Sequence, residues 1–472
     1  MGNIIRKIKW FIIENKYTYI IMLFLLLSIA AISLMPAYVL GFAIDTIISG
    51  KLNTSSLVFI TAALVLLPVL RYTVSFIYNY LSNKTAQSLT FKLRQRYLSH
   101  LFEMDSKFFE LYDKGDLISR VTGDLESITQ AASSIMEGII FNVGVILFAI
   151  GVMGFTISWE LTLISVTIMP IGLTLLNIIR NKKRKYVRIH REIYAEMTEK
   201  VLESVEGQKT IRAYVQEDND LKGLNEAIDK DIESWRYIVK YESWFNPLFE
   251  VVYGIAYVLA FVFGVYFIIS SKISLGQLVT FVTYVGMLSG PIIAISTIFT
   301  QINNATVAID RYDEVIKQTP EVHDEPSSKN IIDFKQIRFE DVTFKYPFDK
   351  NPVIKNITFE INNGETIGIV GPTGSGKSTL IRQLLREFNV TSGLILIDNN
   401  KIESYKVEDV RNLVGYVPQT HILFKRGVDE NILIGKPSAN IDMINKAIKI
   451  ADFEKDLLFL QQGIHTMVGE SG

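Results

Sequence analysis

Cysteine is missing altogether from the 472 residues. Disulfides, thiolate metal sites and a cysteine nucleophile are therefore excluded. Net charge is nearly missing too: 48 Lys and Arg stand against 49 Asp and Glu, a formal charge of −1. Bulk attraction to nucleic acid is not expected from such a balance. Charge is also missing locally, because the 49% hydrophobic content is concentrated in long uncharged runs within the first two thirds. The last third reads as soluble. A chain of 472 residues has room for two or three domains.

Crossing a bilayer core takes about 20 apolar residues. Uncharged or nearly uncharged stretches of that kind run over Tyr17–Ile44, Leu52–Leu70, Gly138–Trp159, Leu161–Ile179, Val251–Ser271 and within Ile273–Ile309. The first is too long for a cleaved signal peptide and carries no small-residue cleavage site. The chain thus reads as a multi-pass protein of the cell membrane. Orientation follows from Lys and Arg. Segment 1–16 has four, segment 84–126 seven and segment 180–250 fourteen, whereas the other side offers only Lys51 and Lys272. Both termini and the two long loops are expected in the cytoplasm.

The long loops keep apolar residues at helical intervals over Gln87–Leu101 and Glu192–Ala213, so helices are expected to continue past the membrane surface. Pro36, Pro68, Pro170 and Pro291 fall inside spans, as kinks or simply as tolerated residues. Arg71 and Glu137 lie near membrane depth. Counting along the helices places each roughly 30 Å from the outer face. They are expected to be close in depth near the inner boundary, either paired or each snorkelling to the cytoplasm.

Thr319–Asn330, with Pro320, Pro326, Ser327 and Ser328, reads as a linker. Val342, Phe344 and Tyr346 then alternate as a strand ending at Pro347. Tyr346 is either an adenine-stacking ring or an ordinary strand aromatic. The Asp398 that ends Leu394–Ile397 is followed by Asn399 and Asn400, so a turn explains it better than a Mg²⁺ site.

The most informative stretch is Thr366–Leu380. Thr366–Val370 has the composition of a buried strand. It leads into Gly371, Pro372, Thr373, Gly374, Ser375, Gly376, Lys377 and Ser378, which fit G-x-x-x-x-G-K-[ST] at every fixed position. Thr379, Leu380, Ile381, Leu384 and Leu385 follow at helical spacing. Glycines let backbone N–H groups turn toward phosphate oxygens, and the following helix points its positive end the same way. Lys377 is placed to reach the β- and γ-phosphates, and the Ser378 hydroxyl to ligate Mg²⁺. A purine nucleoside triphosphate is the implied ligand, ATP or GTP.

Six spans with long helical cytoplasmic loops, followed by a phosphate-loop domain, resemble an ABC exporter half-transporter. The resemblance implies a fold of six transmembrane helices followed by an incomplete α/β nucleotide-binding domain, with boundaries at 1–318, a 319–334 linker and 335–472. Phe108-Phe109 through Gly115-Asp116-Leu117-Ile118-Ser119-Arg120 and Asp124 resemble the first intracellular loop with its coupling helix. Glu203–Glu217 resembles the approach to the second. Tyr346 matches the adenine-stacking aromatic, Gly371–Thr379 Walker A, and Gly415-Tyr416-Val417-Pro418-Gln419 the Q-loop, whose glutamine senses Mg²⁺ and the γ-phosphate. The implied ATP site is Tyr346, Gly371 to Thr379 and Gln419, with Ser378 and Gln419 at the Mg²⁺.

Thr466–Gly472 resembles the segment just ahead of the family's signature motif. The wording is closest to one half of the Gram-positive heterodimeric multidrug exporters. A second half-transporter, heterodimer rather than homodimer, the bilayer and a small hydrophobic or amphipathic substrate, drug or lipid, are the implied partners.

The sequence departs from the family where it stops, at Gly472. The signature, the Walker B aspartate, the catalytic glutamate, the D-loop and the switch histidine are not in it, and His421 and His465 precede their place. No catalytic residue is therefore assigned, and the 472 residues are expected to be hydrolysis-defective by themselves. The alternatives are a non-hydrolytic ATP-binding membrane protein that gates a partner, or an inert remnant of a disrupted transporter gene.

Overall fold

A computed structural model describes residues 2–419 and 422–469. The chain divides into two units: Met1–Met104 with Leu111–Thr319, and Asp105–Glu110 with Pro320–Gly472.

The first unit is helical. Six helices are long and apolar enough to cross a membrane: span 1 (Lys16–Ile48), span 2 (Thr54–Glu103), span 3 (Lys114–Ile157), span 4 (Trp159–Glu206), span 5 (Glu217–Ile269) and span 6 (Leu275–Ile316). All outrun the apolar stretches seen in the sequence. The loops after spans 2 and 4 are largely continuations of those helices, as their amphipathic spacing predicts. An N-terminal helix, Gly2–Glu14, precedes them. It buries Ile4, Ile8 and Phe11 against Leu89, Leu93, Ile128 and Ile302.

The four span prolines behave differently. Pro36 and Pro68 sit inside unbroken helices. Pro170 and Pro291 occupy the first turns of new segments, Ile168–Glu206 and Ser289–Ile316. There the missing N–H would have had no helical partner, so no bond is lost. Span 3 contains three π-helical turns, at Arg120–Asp124, Ile135–Phe141 and Met153–Ile157.

Spans 1 and 6 are held by small residues and side-chain hydrogen bonds, the usual means where lipid removes the hydrophobic drive between helices. A Cβ on Gly276 would overlap the Gly41 carbonyl, so only glycine allows this approach. Asp45 Oδ1 accepts from the Gly276 N–H at 2.8 Å, and Asp45 Oδ2 from the Ser274 hydroxyl at 2.5 Å. Further along, the Thr280 hydroxyl donates to the Ala37 carbonyl at 3.2 Å and the Tyr284 hydroxyl to that of Leu34 at 3.1 Å.

Spans 1 and 2 run antiparallel, with Phe42 edge-on to Phe59 at 6.3 Å. Tyr78 packs with Met22, Leu26 and Ile29. This register places Arg71, twelve residues past Phe59, level with Ala30. That level lies about 27 Å along span 1 from its end at Ile48. Among the described residues no ion pair joins Arg71 to Glu137. Glu137 is instead within electrostatic reach of Tyr78, two turns further along span 2.

The second unit carries a four-stranded antiparallel sheet in the order β2-β1-β3-β4, with β1 Gln336–Phe344, β2 Ile354–Asn362, β3 Ser392–Ile397 and β4 Asn400–Lys401. Phe339 pairs with Phe359 on one side and Ile395 on the other. The two phenylalanine rings stack at 4.5 Å. Asp398 and Asn399 take left-handed backbone angles, φ +49° and +67°, in the β3–β4 turn. The Asp398 carboxylate accepts from the Lys335 and Gln336 N–H groups at 2.9 and 3.0 Å. It is engaged in a turn.

Thr366–Val370 departs from expectation. It is extended but joins no ladder among the described residues, and Val370 is 97% exposed. A strand is defined by its neighbours as much as by its composition. Val414–Val417, apolar as well, also pairs with no strand among the described residues.

Candidate functional site

The phosphate loop runs from Gly371 into the helix Lys377–Leu384. Gly374 and Gly376 take φ +80° and +88°, a conformation that only glycine adopts without strain. Gly376 is the helix N-cap residue. A side chain there would press on Val353, whose Cγ1 and carbonyl oxygen lie 3.1 and 3.2 Å from an added Cβ. Within the loop the Ser375 N–H donates to the Pro372 carbonyl at 3.2 Å. Thr373 and Ser378 are exposed, Ser378 in the first turn of the helix.

Lys377 lies across the loop. Its ammonium donates to the Gly371 and Pro372 carbonyls, both at 2.8 Å, and approaches the Ser375 hydroxyl at 3.4 Å. The loop therefore carries its one cation above its own backbone, beside the positive end of a helix. This is a site built for an anion.

Tyr346 is brought to the same helix. Its hydroxyl lies 3.1 Å from the Thr379 hydroxyl and accepts from Arg382 Nη1 at 3.2 Å. Its ring is edge-on to Phe344 at 4.9 Å and to Phe388 at 5.4 Å. Burial opposes the charge on Arg382, but the hydrogen bond and negative charge of Glu387, together with Tyr346, outweigh it, so its pKa is raised. Arg382 remains cationic as it fixes the tyrosine.

The far end of the helix is closed by Arg411, which donates to the Leu385 and Arg386 carbonyls at 2.9 and 3.2 Å. A cation at that end complements the helix dipole. Burial lowers the pKa of Arg386, and its Nη1 donates to the Tyr405 carbonyl at 2.5 Å.

Residues Arg382 and Phe388 were not singled out by the motif. Arg382 follows Thr379 by three residues, so helical spacing alone puts both on one face. Phe388 gives no such signal.

Not every expected residue gathers here. Gln419 is exposed, and no hydrogen bond among the described residues ties it to the loop. Thr420 and His421 lie outside the described residues, as do Glu470, Ser471 and Gly472. Of the preceding segment, the Val428 N–H donates to the Thr466 carbonyl at 3.1 Å and the Val468 N–H to that of Arg426 at 2.9 Å. His465 pairs with Asp429 at 2.8 Å.

In the first unit, the loop residues that resemble a coupling segment form a charged network. Arg120 is 6% exposed. It bonds Asp116 at 2.7 Å, Glu314 at 2.9 Å and the Arg311 carbonyl at 2.6 Å. Arg311 in turn bonds Asp116 and, at 3.0 Å, Asp124. Asp113 caps the short helix Lys114–Ser119 by accepting from the Gly115 and Asp116 N–H groups at 2.7 and 3.2 Å. The second such segment is an exposed helix, Gln208–Ala213, between spans 4 and 5.

Comparison with known proteins gives a consistent answer. Residues 19–292 match the ABC transporter transmembrane region and residues 354–468 match the ABC transporter nucleotide-binding family, described simply as ABC transporter. The chain is 32% identical over 476 residues to the probable multidrug resistance ABC transporter ATP-binding/permease protein YheI of Bacillus subtilis, covering 100% of this chain and 81% of that one. It is 30% identical, with the same coverage of both, to the multidrug resistance-like ATP-binding protein MdlA of Buchnera aphidicola subsp. Schizaphis graminum. The putative multidrug export ATP-binding/permease protein YgaD of Bacillus subtilis is 30% identical over 92% of this chain and 76% of its own. With six spans, a fused phosphate-loop region and these matches in hand, the chain belongs to the ABC transporter family as an exporter-type half-transporter, a transmembrane region joined to an ATP-binding region.

Proposed function

We propose that this chain pairs with a second half-transporter, a different chain rather than a copy, and exports hydrophobic or amphipathic compounds, drugs or lipids, across the cytoplasmic membrane. The single observation behind the ATP part is the meeting of Tyr346, Thr379 and the Lys377 loop on one helix. Tyr346 stacks the adenine, and Gly371 to Thr379 cradle the phosphates. The metal of the nucleotide would be held by Ser378, whose exposed position at the helix start suits it, and by Gln419. The Lys and Arg bias of segments 1–16, 84–126 and 180–250 supports cytoplasmic termini, the compartment that holds ATP.

Of the domain limits 1–318, 319–334 and 335–472, the first draws support from the division of the chain between Thr319 and Pro320, and the limit between 334 and 335 rests on the family resemblance. The substrate class draws on the names of the relatives, which are multidrug proteins. ATP binding closes two nucleotide-binding regions, and the charged loop segments pass the motion to the spans. The 472 residues contribute binding and coupling. The alternative of a non-hydrolytic gate differs in one measurable respect.

ATP-dependent accumulation of a hydrophobic dye in inside-out vesicles tests the reading, with partner and chain co-expressed. Export that disappears with Lys377→Ala supports it. Dye movement indifferent to ATP and to that substitution overturns it.

A further inference from the structure

Span 1 has no Asp, Glu, Lys, Arg or His between Lys16 and Asp45. Arg71 of span 2 faces the middle of that run, level with Ala30 by the register of Phe42 with Phe59. On span 1 the nearest charges are therefore about 21 and 23 Å away along the axis at 1.5 Å per residue. On its own helix Lys84 is about 20 Å below. Arg71 lies about 26 Å along span 2 from its start at Thr54, and its side chain is exposed. Among the described residues no carboxylate pairs with Arg71. An exposed guanidinium on an apolar span favours an anionic partner.

The surroundings offer space for one. Arg71 lies on a groove of about 330 Å³ between spans 1 and 2. Ile32, Pro36, Leu67 and Pro68 form its apolar walls, and Tyr72 and Ser75 flank the arginine. The groove has a cause in the sequence: Pro36 and Pro68 each remove a helical hydrogen bond from an unbroken helix. Its volume is roughly twice the ~150 Å³ that houses a benzene ring, enough for a short alkyl or aryl body but not for a helix.

We infer that Arg71 and this groove form a binding site for one anionic amphiphile, with a phosphate or carboxylate head on the guanidinium and an apolar body between the two prolines. Arginine suits the task because its planar fork takes two oxygens of such a head at once. The site could be occupied by an anionic bilayer lipid or by a transported anion, since both present the same chemistry. Only the second case rests on the exporter reading above.

The test is equilibrium binding to the purified membrane-embedded protein in phosphatidylcholine nanodiscs without nucleotide. Dodecyl phosphate is the probe, with dodecyl maltoside and dodecyltrimethylammonium as neutral and cationic controls. Arg71→Gln should weaken dodecyl phosphate about tenfold or more, the scale of a charge-assisted bidentate contact, and leave both controls unchanged. Arg71→Lys should keep part of the affinity. Leu67→Trp, which fills the groove and spares the charge, should also block the probe.

Equal binding of dodecyl phosphate by wild type and Arg71→Gln overturns the site. So does a wild type that does not prefer the anionic probe, the result expected if a partner carboxylate already holds Arg71. Phosphatidylglycerol that competes in the disc, and co-purifies with wild type but not with Arg71→Gln, identifies a bilayer lipid. ATP-driven movement of dodecyl phosphate without such competition identifies a substrate. Binding that persists while ATP-driven movement fails counts against the exporter reading and leaves the site standing.

Discussion

The hydroxyl of Tyr346 lies 3.1 Å from that of Thr379, two residues beyond the lysine of the phosphate loop. A ring just past the end of a strand is thus fastened to the helix that follows the phosphate loop. The ring and the loop proposed to hold base and phosphates are therefore joined, through two hydroxyls and Arg382.

This separates the ring from its hydroxyl. Tyr346→Phe keeps the aromatic face and loses the two polar contacts, which are worth about 0.5–1.5 kcal/mol each when intact. Tyr346→Ala loses the face as well, and stacking of a base on an aromatic side chain contributes about 1–3 kcal/mol. Titration with a fluorescent ATP analogue should give a modest loss for Phe and a loss of roughly tenfold or more for Ala. Equal losses would mean that the ring does not meet the base.

Lys377→Ala removes the ammonium that lies over the loop. Hydrogen bonds to charged groups contribute about 1.5–3 kcal/mol, so the triphosphate should bind on the order of 10- to 100-fold more weakly. Adenosine, which has no phosphate, should be unaffected. Isothermal titration with both ligands distinguishes this from general unfolding.

Glycines of spans 5 and 6 give a paired comparison. Gly276→Ala forces a methyl into the Gly41 carbonyl, whereas Gly254→Ala meets nothing within 4 Å. Overpacking of this kind costs about 1–3 kcal/mol. Thermal unfolding in detergent should show a clear loss for Gly276→Ala and none for Gly254→Ala.

What could be read from the sequence follows the same division between local and non-local information. The spans were visible because uncharged runs are a local property, and their full lengths were not, because the continuing amphipathic turns carry charge. The glycine loop was legible from residue types alone: Gly374 and Gly376 do require positive φ. The Tyr346–Thr379–Arg382 contact joins residues up to 36 apart, so no spacing rule announces it. Thr366–Val370 has strand composition, but composition says nothing about which neighbour supplies the ladder. Counting along separate helices gives depth but not which faces meet, so it does not decide whether Arg71 and Glu137 pair; among the described residues no ion pair joins them.

The charged network of the first loop should behave as a unit. Arg120 is almost fully buried and holds Asp116 and Glu314. Removing Arg120 takes its hydrogen bonds from partly exposed carboxylates, and hydrogen bonds to charged groups contribute about 1.5–3 kcal/mol. Arg120→Met is therefore expected to destabilise strongly, and Arg120→Met with Asp116→Asn should cost less than the two single changes together. Chemical denaturation of all three variants measures this, and additive losses would show that the two residues act independently.

The unpaired segment before the loop gives the last test. Thr366–Val370 makes no ladder among the described residues and Val370 is 97% exposed. Amides that are exposed and unbonded exchange quickly, while those in a sheet are protected. In a polypeptide of these 472 residues, Ile367, Gly368, Ile369 and Val370 should exchange within seconds, and Phe339 and Ile395 of the paired strands far more slowly. A phosphate loop entered from an unrestrained strand is poorly preorganised, so ATP should protect those four amides as it binds. Slow exchange without nucleotide would mean that the strand already has a neighbour in solution.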